Sequence, residues 1–259
     1  MQPYLEHLQL THLEFIAMAI AVMLAAVIRG YSGFGFSAIV VAGLSLFTPT
    51  REVVPLVILL EVVASVQMFP KVWRHVHWRL VAWVLLGSLV FIPLGQWFLS
   101  YVPVGPMRVV CALGLLLGVV FIYKGRNFGL GKSPKGWAII GVISGTMNGL
   151  LAMGGMWVAI LLLGSSIKTH VLRASLVALF FGVDIYAAAT AIPYGLLHAT
   201  IAWRAVAALP FLFVGIWLGS RQFEGTSDDT YRSVVLAVLA TLALLLLLRA
   251  TWTIGLAII

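Results

Sequence analysis

Three ionisable side chains lie deep inside apolar runs of this sequence and could do chemistry there: Arg29, Glu61 and Asp184. A charge in hydrocarbon is costly unless it is paired or reached by water, so each of them marks a candidate site. Arg29 opens the string Arg29-Gly30-Tyr31-Ser32-Gly33-Phe34-Gly35-Phe36, where glycines interrupt an apolar region. A guanidinium beside backbone N–H groups freed by a helix break can converge on a small anion, as helix N-termini do. The competing role is a cation reaching from the end of a short span to the cytoplasmic interface. Glu61 lies near the middle of the run 53–70, with Ser65 and Gln67 about a turn beyond it. It is either a proton carrier, because hydrocarbon disfavours the charged form of a carboxylate, or the structural partner of Arg29. Asp184, in the run 170–191, has the same two options: coupling with Glu61, or an ion or hydrogen-bond partner on a neighbouring helix.

The glycine break recurs. The string Asn148-Gly149-Leu150-Leu151-Ala152-Met153-Gly154-Gly155 follows the first by 119 residues, so that Gly30 answers to Gly149, Gly35 to Gly154 and Arg29 to Asn148. The same offset carries Ser65 onto Asp184. Glycine costs a helix about 1 kcal/mol relative to alanine, and freed backbone groups are tolerated at membrane depth only in protein or beside a wet cavity. A pair of Gly-interrupted apolar segments at corresponding places in two halves points to a transporter's binding site. The candidate substrate-binding residues are therefore Arg29, Gly30, Gly33 and Gly35 from the first break, with Asn148, Gly149, Gly154 and Gly155 from the second. Asn148 can either donate to an anion or bridge two helices. Glu61 and Asp184 are the coupling candidates.

The elements that must position these residues follow from composition. Of 259 residues 62% are hydrophobic and 9% charged, with mean hydropathy +1.10, which is the composition of a polytopic membrane protein and not of a soluble fold. The net charge of +8 sits mostly in short loops between apolar runs and reads as topology, so no nucleic-acid partner is implied. The runs are roughly 13–28, 33–48, 53–70, 80–100, 105–123, 136–151, 155–166, 170–191, 203–220 and 231–249. The two short pairs flank the glycine breaks, and half-helices, re-entrant hairpins and short tilted spans all fit them. Before the first run there is no basic segment of the kind that opens a cleaved signal peptide, so that run is expected to be retained.

Loop cations predict cytoplasmic placement of Lys71 to Arg79, Lys124 to Lys135 and Lys168 to Arg173, with the uncharged turn near Pro103 and both termini outside. That parity makes the fold an all-α integral membrane protein of two pseudo-symmetric, inverted repeats with broken Gly-rich helices, 1–130 and 131–259. Trp78-Arg79 recurring as Trp203-Arg204, and Leu94-Gly95 as Leu218-Gly219, extend the repeat. Trp73, Trp78, Trp97, Trp137, Trp203, Trp217 and Trp252 fall near run ends, as an interfacial belt requires. Pro70, Pro93, Pro193 and Pro210 would kink or end helices. Cys111 is a small packing residue, and His75, His77, His170 and His198 have no metal-ligand spacing. Neither a metal nor another cofactor is expected, and motifs for nucleophilic or metal-dependent catalysis are absent.

Two halves of this length, each opening with a glycine-rich broken segment and joined by a basic central loop, resemble the sulfite exporter TauE/SafE family of bacterial membrane transporters. Gly30-Tyr31-Ser32-Gly33-Phe34-Gly35 carries the likeness most closely; in the second break, Gly149 to Gly155, the glycines are sparser and Met153 and Met156 flank the last pair. The resemblance implies secondary transport of a small anion, often sulfur-containing, across the cytoplasmic membrane. Its partners would be that anion and the membrane lipid. An intramembrane enzyme and a non-transporting assembly factor are the rival readings; Arg29, Glu61 and Asp184 deep in apolar runs are an unexplained cost for a mere scaffold.

Overall fold

A computed structural model describes residues 8–124, 129–162, 167–222 and 244. Among these residues the chain is helical and has no strand. Ten α-helices run in order: α1 His12–Ser32, α2 Phe36–Leu44, α3 Thr50–Val72, α4 Trp78–Ser88, α5 Phe91–Tyr101, α6 Val104–Lys124, α7 Pro134–Leu151, α8 Gly154–Leu162, α9 Thr169–Ala191 and α10 Ala199–Gln222. Four of them, α1, α3, α9 and α10, are long and apolar enough to cross a membrane. The bent pair α4 and α5 makes a fifth if taken as one span.

The helix ends have local causes. Thr11 and Glu14 form a reciprocal capping box at the start of α1, which satisfies two otherwise unpaired N–H groups. Apolar run 80–100 is not one straight helix: it breaks by 43° between α4 and α5. Pro93, in the first turn of α5, lacks the N–H that would bond to Leu89 and its ring crowds that carbonyl. Pro210 by contrast lies within a continuous α10.

The two interruptions after α1 and α7 set the architecture. Gly33 (φ 82°) and Gly35 (φ 91°) both take the left-handed conformation, ending α1 and starting α2. Such backbone is cheap only without a Cβ. After the second interrupted helix, α7, the left-handed residue is Ala152 (φ 54°), so neither Gly154 nor Gly155 makes that turn. Each break is followed by a helix of nine residues, about 14 Å long and too short to span a bilayer alone. All of α8 is buried, and so is α2 apart from Gly43. Helices apolar on every side are covered by protein on every side.

Packing brings α1 against α10, and α7 against both α4 and α5, while α3 and α9 lie side by side between them. Glycine permits the closest approaches. A Cβ on Gly30 would lie 2.5 Å from the Ile216 carbonyl and 3.0 Å from the Ser220 nitrogen of α10. One on Gly149 would meet the equivalent backbone of α5, at the Ile92 carbonyl and the Gln96 nitrogen. Gly30 and Gly149, expected as substrate contacts, are thus occupied by helix packing. Arg204 ties the far end of α10 to the N-terminal segment and α3, donating to the Leu8 carbonyl at 2.8 Å and pairing with Glu52 at 2.6 Å.

Trp73, Trp78, Trp97, Trp203 and Trp217 are exposed, as anchoring requires, whereas Trp137 is buried and donates its indole N–H to the Gly131 carbonyl at 2.9 Å. It is a packing residue of the central connection and not part of a belt. Trp252 lies outside the described residues.

Candidate functional site

Arg29 stands in the last turn of α1, where the carbonyl ends of the helix favour a cation. It is fully buried and pairs with Glu61 of α3, Nη1 to Oε2, at 2.5 Å. Its Nη2 donates to the Ser65 hydroxyl at 2.9 Å. The Phe180 ring of α9 covers the guanidinium, with its centroid 4.6 Å from Cζ. Glu61 in turn accepts hydrogen bonds from the backbone N–H and the hydroxyl of Ser37, in the first turn of α2. A cation thus sits at the C-terminal end of one broken helix, and a carboxylate at the N-terminal end of the next. Each charge faces the helix end of opposite partial charge. The snorkelling alternative for Arg29 does not hold in this geometry, because the side chain has no exposed surface.

The second break assembles differently from the same positions. Asn148, near the end of α7, donates Nδ2 to Asp184 Oδ1 on α9 at 3.1 Å. Its Oδ1 accepts from the Gly154 N–H at 3.3 Å and so caps the N-terminus of α8. Ser144 closes the same turn by donating to the Gly154 carbonyl at 3.0 Å. The bonded pairs Arg29–Ser65 and Asn148–Asp184 are each 36 residues apart. Asp184 is buried, and its Oδ2 has no hydrogen-bond donor. It lies within electrostatic range of both Glu61 and Arg29, so the two acids and one cation form a single buried cluster.

Phe180 and Arg173 escaped the sequence reading. Phe180 stands 119 residues after Glu61, and both reach Arg29, one as a ring and one as a carboxylate. Gly155 is what lets the ring lie there, since a Cβ on it would fall on the Phe180 ring. Extending the offset one turn back from Ser65 and Asp184 would have found Phe180. Arg173, a loop cation by its sequence context, lies within α9 and donates Nη2 to the Gly30 carbonyl at 2.7 Å. That carbonyl, in the last turn of α1, has no intrahelical donor once the helix ends. Gly33 is pressed against the same side chain, with its absent Cβ 2.8 Å from Arg173 Cγ. Among the described residues no group of three or more His, Cys, Asp or Glu could hold a metal ion.

Apolar spanning helices, two broken buried helices and a charged cluster at the breaks define a polytopic membrane transporter. The family profile described as sulfite exporter TauE/SafE matches residues 18–246, and the chain belongs to that family. It is a multi-pass protein of the cell membrane, and a transporter and not an enzyme. A relative from Cupriavidus necator, "Probable sulfite/organosulfonate exporter TauE", is 27% identical over 229 residues, covering 85% of this chain and 88% of that protein. No solved structure matches the chain.

Proposed function

We propose that this transporter moves a small sulfur-containing oxyanion, sulfite or a sulfonate, across the cytoplasmic membrane, with Arg29 as the residue that holds it. The observation carrying this reading is a fully buried guanidinium at a helix break, held by side chains from α3 and covered by Phe180 of α9. Planar bidentate donors suit oxyanions, and the broken helix adds N–H groups of the same preference. The relative's name supports the substrate class and an outward direction.

The chain is read as two inverted repeats, 1–130 and 131–259, meeting at these breaks. Three features support it: the equal spacing of the bonded pairs Arg29–Ser65 and Asn148–Asp184, the matching nine-residue helices, and the exchange by which α1 packs on α10 while α7 packs on α4 and α5. Inversion carries the topology with it, with Lys71 to Arg79, Lys124 to Lys135 and Lys168 to Arg173 in the cytoplasm and the turn near Pro103 outside. Alternating access then comes from one bundle rocking against the other. Coupling runs through the acids, and the geometry favours Asp184 over Glu61, because Glu61 is paired directly with Arg29 while the hydrogen bond to Asp184 comes from the neutral Asn148 amide.

A thermal-unfolding screen of the purified protein against sulfite, sulfate, thiosulfate, sulfonates and carboxylates tests the substrate class. A ligand at a hundred times its dissociation constant stabilises by about 2.7 kcal/mol. Sulfite or a sulfonate should stabilise, and a response confined to carboxylates would overturn the reading. Repeating the titration against pH with Asp184→Asn and Glu61→Gln tests coupling: the dependence should vanish in Asp184→Asn, and its survival in both variants would remove the acids from the path.

A further inference from the structure

The Arg29 guanidinium and the Ser37 N–H and hydroxyl are the donors an anion seat needs, and the Glu61 carboxylate lies against them. Glu61 supplies the carboxylate that the guanidinium contacts at 2.5 Å, and the same carboxylate takes the N–H and hydroxyl of Ser37 at the start of α2. Arg29 Nε and Nη1, both fully buried, have no hydrogen-bond partner, Nη1 meeting Glu61 Oε2 as an ion pair, so the guanidinium is not saturated. A carboxylate and a sulfite or sulfonate group present similar oxygens at similar separation, and both are acceptors only. Two such groups cannot share one guanidinium edge without like-charge repulsion.

From this arrangement we infer that Glu61 is an internal competitor for the transported anion: its carboxylate fills the seat formed by Arg29 and Ser37 in the conformation seen here, and the substrate binds by displacing it. This rests on the reading that Arg29 holds the substrate. It adds a residue that sets affinity by vacating the site. The competitor keeps a bare buried cation from persisting between transport cycles. It also offers selectivity, since only an anion that satisfies the same donors as well as a carboxylate does can displace it. Phe180 and Ser65 remain on Arg29 throughout and act as the fixed walls.

The test is sulfite affinity by calorimetry on the purified full-length protein, for the native chain, Glu61→Gln, Glu61→Asp and Arg29→Gln. Removing the competing charge should tighten sulfite binding about tenfold or more in Glu61→Gln, by the size of one charge-assisted hydrogen bond. Glu61→Asp keeps the charge and the fold but withdraws the carboxylate by one methylene, and should tighten binding by a smaller factor. Unchanged or weaker sulfite binding in both Glu61 variants, with binding still lost in Arg29→Gln, overturns the competitor and leaves the Arg29 site standing. Sulfite binding that is unaffected in Arg29→Gln removes the site itself. If Glu61→Gln does not fold, Glu61→Asp alone decides.

Discussion

Of the two helix breaks, one carries a buried ion pair and the other an amide bonded to a buried acid. At the first, Arg29 and Glu61 form a buried ion pair, and the N-terminus of α2 is capped by a charged carboxylate. At the second, Asn148 bonds to Asp184 and caps the N-terminus of α8 with a neutral amide. The volumes differ as well: 119 residues after Phe36 and Glu61 come Gly155 and Phe180. The bulky ring at 180 therefore crosses to Arg29 through space that glycine leaves open. Side chains of α3 and α9 hold Arg29, while Arg173 of α9 ties down the neighbouring Gly30 carbonyl. Helix α9 thus places a ring and an acid near Arg29, whose charge faces Glu61 of α3.

The comparison can be broken most severely at Gly155. Gly155→Ala places a methyl on the Phe180 ring, and overpacking of this kind costs about 1–3 kcal/mol. The ring must leave Arg29, so both thermal stability and sulfite affinity should fall; unchanged affinity would show that Phe180 is no wall of the site. A smaller effect separates the two left-handed turns. Gly33→Ala should destabilise by about 1–2 kcal/mol from its positive φ, and further because the new Cβ meets Arg173. Ala152→Gly, at the corresponding turn, should instead stabilise by about 1 kcal/mol, because glycine relieves the left-handed penalty that alanine carries. Chemical denaturation of both variants measures this, and a loss of stability in Ala152→Gly would mean the second turn is not strained.

The breaks were legible in the sequence because glycine clusters inside apolar runs have few other uses. The 119-residue offset pairs Arg29 with Asn148 and Ser65 with Asp184, and Arg29–Ser65 and Asn148–Asp184 are each hydrogen-bonded. What stayed hidden was decided by tertiary contacts. Ala152 has high helix propensity, yet it takes the left-handed turn, with the Asn148 and Met147 carbonyls accepting its N–H. Arg173 looked like a topology signal because loop cations and helix-capping cations share a composition. Its role lies in the Gly30 carbonyl, 143 residues away in sequence. Trp137 was placed in a belt by its distance from a run end, but the Gly131 carbonyl and the His77 ring draw it inward. Gly30 and Gly149 were read as substrate contacts, because a glycine that admits a neighbouring helix cannot be told from one that admits a ligand by sequence alone.

The charge at the first break, and not the amide at the second, is expected to hold the transported anion. Counterflow of labelled sulfite in sealed proteoliposomes, compared for the native protein, Arg29→Gln and Asn148→Ala at matched protein content, tests it most directly. Losing a charge-assisted contact of about 1.5–3 kcal/mol should abolish measurable sulfite flux in Arg29→Gln, while Asn148→Ala slows it by a lesser factor. Native flux in Arg29→Gln, or a greater loss in Asn148→Ala, would contradict the account.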